Sequence, residues 1–596
     1  MQNNNTISKL ANISSSVFFT VLFILSYVFY QQRMMTFDSS FFAFGMIDLK
    51  SYNVVVGRWG QLLPQLLPWL AFKLGASLEA FLKTYSVSLT LCYFVFYLLI
   101  NKVLKHEKAI WILLLSMCLC YRDVFYYATA ELHLGIVVCV FLYALCDNFV
   151  KGFFLKNKFI HAFLILLTII FASQCNPITL FLVVFVLIYI AIRDKIYLSK
   201  SQILFLLFTL VWYYIYLKML NKSDYDEGKY VGLSTFLKEL LNIYKLPSTR
   251  YFGAFFLNYY LSFILLSIIL FISVINSKHK LLSIFTILYS VVYFLVIIIT
   301  YYRGESPIMY QNYYTLFGVL VALPFCDYYT KNWSVKFRNS IIILLLFINV
   351  RGIYLSNEVF TMRLDYISRL EKNSEKIKGS KYLVAASNFP WEYAWVRWAL
   401  PFESLLHSSV NKKSKTFYLL DDINQADSLL NKPNVFLGPD WAPLWFGSNN
   451  LYKPYFNLDN GAYRKLNTQQ IDSININYTN KINAAVFFNH AYYYSNHYNF
   501  TIVPLSILNF TKNKISSIPS LKTPLLIAYN LFDEDGNCIA PTYRRAELET
   551  DVLTKIETGL IIENPKKSGT YTLEAFLIIE NVASASNVAR CKFIVK

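Results

Sequence analysis

Charge is what this chain has least of. Charged residues fill 15% of its 596 positions, where a soluble globular domain carries about a quarter, and its apolar residues come in long unbroken runs instead of alternating. The first property excludes a soluble enzyme and the second an outer-membrane β-barrel. Signature motifs are missing as well: no glycine-rich phosphate loop, no nucleophile elbow and no His-Glu-x-x-His stretch. Of the nine cysteines, Cys92, Cys118, Cys120, Cys139, Cys146, Cys175 and Cys326 lie in or beside apolar runs, where cysteine acts as a small hydrophobe, and no pair has metal-ligand spacing. Cys538 and Cys591 remain, either as one disulfide or as two buried thiols.

What the chain has instead is apolar length. Hydrophobic residues make up 56% and aromatics 18%, and the mean hydropathy is +0.41. Runs long enough to cross about 30 Å of hydrocarbon predict eleven transmembrane helices at 15–31, 79–100, 109–121, 131–150, 159–174, 178–192, 202–220, 251–275, 281–301, 309–329 and 339–356. Pro324 is expected to kink the tenth. Lys and Arg collect in every second loop: Lys102, Lys105 and Lys108; Lys151, Lys156 and Lys158; Arg193, Lys195 and Lys200; Lys278 and Lys280; Lys331, Lys336 and Arg338. The intervening loops hold almost none, so the positive-inside rule places the N-terminus in the cytoplasm and everything after residue 356 outside it. The first segment reads as a retained anchor, because Lys9 alone precedes it and no small-x-small site precedes Gln31.

Acids are the more telling census, since topology does not require them and each is costly near hydrocarbon. Glu107, Asp147 and Asp194 fall among the basic loops and read as solvated loop charge. Asp38, Asp48, Glu79, Asp123 and Glu131 all fall on the outer side. The first outer loop is long, and its Gly60–Gly75 half is an apolar segment too short to span, suited to one or two interfacial helices. Cations on the same side are Arg58, Arg122, Arg250 and Arg303, with His133 near Glu131 as a packing residue or a ligand. Arg303 in Tyr301-Tyr302-Arg303-Gly304-Glu305 runs against the positive-inside trend; pairing with Glu305 or snorkelling to headgroups is its other reading. The stretch 221–250, with a short helix at 234–244, is a solvated loop or a lid.

An anchor helix, a long outer loop with an early acid in Phe37-Asp38-Ser39-Ser40-Phe41, interfacial helices, many spans and an external C-terminal region together resemble the GT-C fold, the polyprenyl-phosphate-sugar-dependent membrane glycosyltransferases. The resemblance covers residues 1–356. It implies that Asp38 is the catalytic base or orienter of the acceptor hydroxyl, that Glu131 or Asp123 is a second acid orienting the acceptor, and that Arg303 with Arg58 or Arg250 clamps the lipid phosphate. Arg122, Glu305 and Asp48 complete the substrate-binding set. Such chemistry needs a base on one side of the anomeric carbon and cations at the phosphate on the other. Loop capping or a salt bridge to Arg58 is the alternative role for Asp38, and a helix-dipole contact the alternative for Glu131. Many members carry two adjacent acids at this place; Ser39 departs from that pattern, and a divalent metal is neither required nor excluded.

The expected fold is therefore a polytopic α-helical membrane protein of about eleven spans, GT-C-like over 1–356, with an extracytoplasmic mixed α/β region at 357–480 and a β-sandwich at 481–596. In the middle region a charged helix at 357–378 precedes a strand at Lys381-YLVAAS. Phe389-PWEYAWVRWALPF and Gly438-PDWAPLWFGSNN supply aromatics for sugar stacking or for docking. Pro524-LLIAYNLFDEDGNCIA is a hairpin around Asp535-Gly536, and strands follow at 567–582 and 587–596. The run from Tyr543 through Gly569-Thr570-Tyr571-Thr572-Leu573 resembles immunoglobulin-like modules appended to bacterial polysaccharide enzymes. The expected activity is sugar transfer from a polyprenyl-phosphate donor to an envelope glycan or lipid-linked acceptor at the inner membrane. The net charge of +19 suits anionic lipid or an anionic glycan, and nucleic acid is not an expected partner. The rivals are a polymerase or ligase of lipid-linked glycans and a non-catalytic scaffold or transporter in glycan export.

Overall fold

The structure is a computed structural model. It describes residues 7–128, 131–153, 157–196, 199–220, 233–300, 307–385, 396–420, 432–438, 444–447, 450–466, 484–495, 500–509, 525–540, 545–547, 555–579 and 583–595. The chain packs as two compact units, one of Met1–Phe360, Phe402–Ser414 and Asn450–Asn457, the other of Thr361–Pro401, Lys415–Asn449 and Leu458–Lys596.

The first unit is a helical bundle. Its elements are α1 (Lys9–Val28), α2 (Tyr30–Met34), α3 (Phe37–Leu49), α4 (Leu62–Lys73), α5 (Leu78–Leu98), α6 (Glu107–Ser116), α7 (Glu131–Lys151), α8 (Lys158–Cys175), α9 (Thr179–Arg193), α10 (Lys200–Leu220), α11 (Leu233–Leu240), α12 (Pro247–Tyr259), α13 (Leu261–Ile275), α14 (Lys280–Thr300), α15 (Pro307–Pro324) and α16 (Val335–Leu355). Among the described residues seven helical stretches are long and apolar enough to cross a membrane: Lys9–Val28, Leu78–Val103, Glu131–Lys151, Lys158–Cys175, Lys200–Lys218, Lys280–Thr300 and Val335–Ser374. Thr179–Arg193 and Leu261–Ile275 are shorter apolar helices. The run expected as one span at 251–275 is broken at Tyr260, where φ −122 and ψ 36 leave the helical region. Pro324 ends α15, and the chain continues as a π turn over Phe325–Tyr329.

Backbones approach where side chains are smallest, the usual device between helices that gain little from hydrophobicity alone. A Cβ added at Gly135 of α7 would meet Thr179 Cγ2 at 2.3 Å, and one at Gly60 would meet Cys175 Cα at 2.8 Å. Small polar groups tie other pairs: Ser26 Oγ to Thr90 Oγ1 at 2.6 Å and Asn101 Nδ2 to Asn12 Oδ1 at 2.8 Å.

At the end of the bundle that holds the start of α6 and the last turns of α7 and α9, the acids read as solvated loop charge are not all solvated. Asp147 is fully buried, and so is Asp327 of the π turn. Between them lies Arg193, its Nη2 2.5 Å from Asp147 Oδ1 and its Nη1 2.5 Å from Asp327 Oδ2. Lys151 reaches Asp147 at 2.5 Å, Lys108 reaches Asp327 at 2.8 Å, and Asp194 folds back on Arg193 at 2.5 Å. His106 Nδ1 accepts the Ala109 N–H, which puts the ring proton on Nε2, 2.7 Å from Asp147 Oδ2. Glu107 caps the start of α1 through the N–H and Oγ of Ser8. Burial is a tertiary property, and the local pattern of Lys around each acid does not report it.

In the second unit, helix α17 (Asn357–Ser374), which begins in the first, leads to β1 (Lys381–Ala385). This strand pairs in parallel with β2 (Thr416–Leu420) on one side and β5 (Arg464–Lys465) on the other. β3 (Val435–Leu437) and β4 (Leu444–Gly447) pair antiparallel. The rest is two sheets around one core. The smaller is β6 (Ala484–Phe488), β8 (Phe500–Asn509) and β12 (Lys555–Glu563); the larger runs β10 (Cys538–Ala540), β9 (Leu525–Phe532), β13 (Gly569–Ile579), β14 (Ala583–Val595), β7 (Tyr492–Tyr494), with β11 (Arg545–Glu547) on β9. Val503, Leu505 and Ile507 of one sheet share a core with Ile527, Leu531, Leu573 and Phe593 of the other, the period-2 inward face of each strand. The hairpin around Asp535-Gly536 is present, with Gly536 at φ 81. The disulfide reading is overturned. Cys538 and Cys591 do not form a disulfide with one another, because β10 and β14 are separated by β9 and β13, about 14 Å at 4.8 Å per strand.

Candidate functional site

The opposite end of the bundle carries the predicted acids. Two connections meet there, the α1–α5 connection at 29–77 and the α6–α7 connection at 117–130. Each reaches its position through backbone that apolar L-residues rarely adopt. Phe37 has φ 49, Val56 φ 56 and Cys120 φ 59. A bulky or β-branched residue in the left-handed region costs about 1–3 kcal/mol, and these three immediately precede Asp38, Gly57-Arg58 and Tyr121-Arg122-Asp123.

Several contacts among the described residues hold the connections together. The Tyr127 hydroxyl donates to Asp38 Oδ2. The Ala128 N–H donates to Ser39 Oγ at 3.1 Å. Arg58 Nη1 pairs with Glu131 Oε1, both side chains about nine-tenths buried, so the pair is of the kind whose separation costs about 3–5 kcal/mol. From beneath, the fully buried Arg33 of α2 donates to the Phe125 carbonyl at 2.5 Å and to Ser86 Oγ at 2.9 Å, with its guanidinium 4.0 Å over the Phe125 ring.

Asp123 faces the other side of the same loop. Gln311 of α15 donates to its Oδ2 at 2.6 Å, and Arg122 Nε lies 3.5 Å from its Oδ1. Burial pushes the Asp123 carboxyl above the ordinary carboxylate range, against the opposing pull of Arg122, Gln311 and Ser356. Arg122 itself sits 4.4 Å over the Tyr259 ring, and its carbonyl accepts from Ser356 Oγ at 3.2 Å. On or against this loop, the Tyr126 hydroxyl, both ring nitrogens of His133 and Asn312 Oδ1 are buried and make no hydrogen bond among the described residues. Buried polar atoms of this kind are where water or a polar ligand finds partners.

Of the predicted set, the structure thus gathers Asp38, Glu131, Asp123, Arg58 and Arg122 around residues 121–131. Asp48 is not among them: it lies ten residues along α3 from Asp38, about 15 Å at 1.5 Å per residue, and burial raises its carboxyl as well. Arg303, Glu305 and the side chain of Arg250 lie outside the described residues, as do 221–232 and most of the tryptophan-rich stretches at 386–395 and 439–443. The His133 ring packs edge-on against Tyr121 at 4.4 Å. Among the described residues no three His, Cys, Asp or Glu side chains converge as a metal would require.

Sequence reasoning missed Tyr127, Gln311 and Arg33. Tyr127 stands in a Tyr-rich run with nothing to distinguish it from its neighbours, and Gln311 lies 188 residues from its partner. It also missed Glu403 of helix α18 (Leu400–Val410), which is fully buried and accepts the Phe37 N–H. The chain matches no protein-family model, no curated protein and no solved structure.

Proposed function

We propose that the chain is a multi-pass inner-membrane glycosyltransferase that moves a sugar from a polyprenyl-phosphate donor to an envelope glycan or lipid-linked acceptor, working on the extracytoplasmic side through an eleven-span GT-C-like membrane part. The observation that carries this reading is the junction itself: two acids and an arginine from two strained connections, Asp38 on Tyr127 and Glu131 on Arg58, held at one end of the bundle. Asp38, half-buried at the start of a helix, accepts the proton of the attacking hydroxyl. Tyr127 orients that carboxylate. Arg58 and Arg122, with Arg303 and Arg250, meet the charge that develops on the leaving phosphate. Asp123 and Glu131 orient the acceptor. The transporter reading draws less support, because the buried charges at the far end of the bundle are paired with one another in the last turns of their helices instead of facing a path at mid-depth.

A transfer assay in membranes with polyprenyl-phosphate sugars, comparing wild type with Asp38→Asn and Arg58→Ala at matched expression, tests it. Loss of a base of this kind costs about a hundredfold or more. Asp38→Asn that transfers as well as wild type, or a wild type that consumes no donor, ends the proposal.

A further inference from the structure

We infer that Glu403, which lies more than three hundred residues beyond the first outer connection, is the positioning residue that sets the start of α3 and so aims Asp38. The inference rests on the catalytic reading of Asp38 given above. Thr36 occupies the N-cap position of α3, where a threonine hydroxyl ordinarily accepts from the second or third helical N–H. Here it does not: its Oγ1 donates back to the Gln32 carbonyl at 2.6 Å, and no side-chain cap is made from the N-cap residue. The first helical N–H, that of Phe37, instead goes to Glu403 Oε1. A carboxylate at that place satisfies an orphan donor and complements the positive end of the helix.

The same residue, Phe37, is the one forced to φ 49. Its conformation is held from every direction. The ring is 1% exposed and packs edge-on against Phe360 at 5.6 Å, and its carbonyl accepts from Ser40 Oγ at 2.6 Å. Glu403 holds the amide. One residue on, Asp38 turns towards Tyr127. If Phe37 relaxed to negative φ, the first turn of α3 would rotate and Asp38 would leave the loop that holds it. Glu403 is in turn fixed by packing: Phe402 beside it lies 5.4 Å from Phe41 and 5.0 Å from Phe44 of α3, and Phe44 stacks on Phe456 at 5.7 Å. All of these residues belong to the first compact unit. The segment Phe402–Ser414, although it follows the last long apolar helix in sequence, is thereby part of the apparatus that shapes the acid's position.

The experiment uses the full-length protein in membranes, with initial rates against donor concentration for wild type and for Glu403→Leu, Glu403→Gln, Glu403→Asp and Asp38→Asn. Leucine keeps the volume and deletes the acceptor; glutamine keeps an acceptor oxygen; aspartate keeps the charge and withdraws it by one methylene. Misplacing a reacting group by about 1 Å costs up to about a hundredfold, so kcat is expected to fall by about tenfold or more in Glu403→Leu and by several-fold in Glu403→Asp. Glu403→Gln should stay within about threefold of wild type and donor KM within about twofold throughout. Should Glu403→Leu not reach the membrane folded, the aspartate and glutamine variants carry the comparison. Wild-type kcat in Glu403→Asp, equal losses in the glutamine and leucine variants, or a loss confined to KM each overturns the inference. Where Asp38→Asn is inactive while the Glu403 variants keep full kcat, this inference alone fails. If Asp38→Asn is fully active, the catalytic reading fails with it.

Discussion

Replacing Arg193 by methionine removes the one cation shared by two buried acids. Asp147 and Asp327 each have side chains 1% exposed, and the Arg193 side chain between them is 6% exposed. Separating a buried ion pair costs about 3–5 kcal/mol, because the remaining charge stays buried without its partner. Here each acid keeps a lysine, and Asp147 also keeps the His106 ring N–H at 2.7 Å, but those lysines are 37% and 41% exposed, and pairs of that kind return at most about 1 kcal/mol. The expected loss for Arg193→Met is therefore about 3 kcal/mol, while Lys108→Met and Lys151→Met should each lose about 1 kcal/mol or less. Thermal unfolding of purified protein in one detergent, at one scan rate, gives the order: a fall of several degrees for Arg193→Met and little for either lysine variant. The triple change Arg193→Met, Asp147→Asn, Asp327→Asn should recover most of the loss, since it leaves no unpaired charge inside. Arg193→Met as stable as Lys151→Met, or a triple variant no better than the single one, refutes the reasoning.

Asp123→Asn should raise stability at neutral pH and lower sugar transfer. The carboxyl is raised above its ordinary value of 3.8 in the folded protein, so its contribution to stability is fully present below that value, is lost as pH rises through the raised native value, and stays lost above it. The variant flattens that fall; a variant less stable than wild type at pH 7 contradicts it. Gly135→Ala should destabilise by about 1–3 kcal/mol through overpacking, since the new Cβ would lie 2.3 Å from Thr179 Cγ2. Thr179→Ser, which removes that methyl and keeps the hydroxyl bonded to the Ala172 carbonyl, should restore at least half of the drop in melting midpoint; no recovery would place the cost elsewhere. Native protein treated with a maleimide should take up one label, at Cys538, because the other eight cysteines are buried. Full unfolding should expose all nine, with no reductant needed, and a mobility shift on reduction would contradict the absence of a Cys538–Cys591 disulfide.

How much of this was legible in the sequence follows from how local each feature is. The hairpin at Asp535-Gly536 was legible because a turn that needs φ 81 at one residue announces itself with glycine. The apolar helices were legible because length and composition suffice for them. The break at Tyr260 was not, since the run around it is apolar throughout and the interruption lies in backbone angles alone. Asp38, Asp123, Glu131 and Arg58 were legible as outliers, acids and an arginine where hydropathy asks for none. Their partners were not. Tyr127, Gln311 and Glu403 come from 89, 188 and 366 residues away from the groups they bind, and no period or motif connects them. Asp147 was misread for the same reason: a carboxylate four residues before a lysine looks alike on a wet helix face and in a buried cluster.

The two ends of the bundle treat charge in different ways, and the difference bears on where the proposed chemistry would sit. At the Arg193 end three acids, Asp147, Asp194 and Asp327, meet three cations, Arg193, Lys108 and Lys151, at 2.5–2.8 Å. That arrangement balances in number and pairs every one of its charges, although it too has backbone at positive φ, at Lys105 and Lys195, and sets Asp327 on a π turn. At the Asp38 end Asp38 and Arg58 stand on strained connections, Asp123 is held above its ordinary proton affinity, and the buried polar atoms of Tyr126, His133 and Asn312 make no hydrogen bond among the described residues. Strain and unpaired polar groups persist in a folded chain only where the surrounding structure over-determines them, and selection for stability alone would remove both. A well-paired cluster can give up its buried charges together with little loss, as the triple variant above tests. The Asp38 junction combines buried polar atoms that make no hydrogen bond among the described residues with an acid held above its ordinary value, and that combination is why transfer chemistry is proposed there.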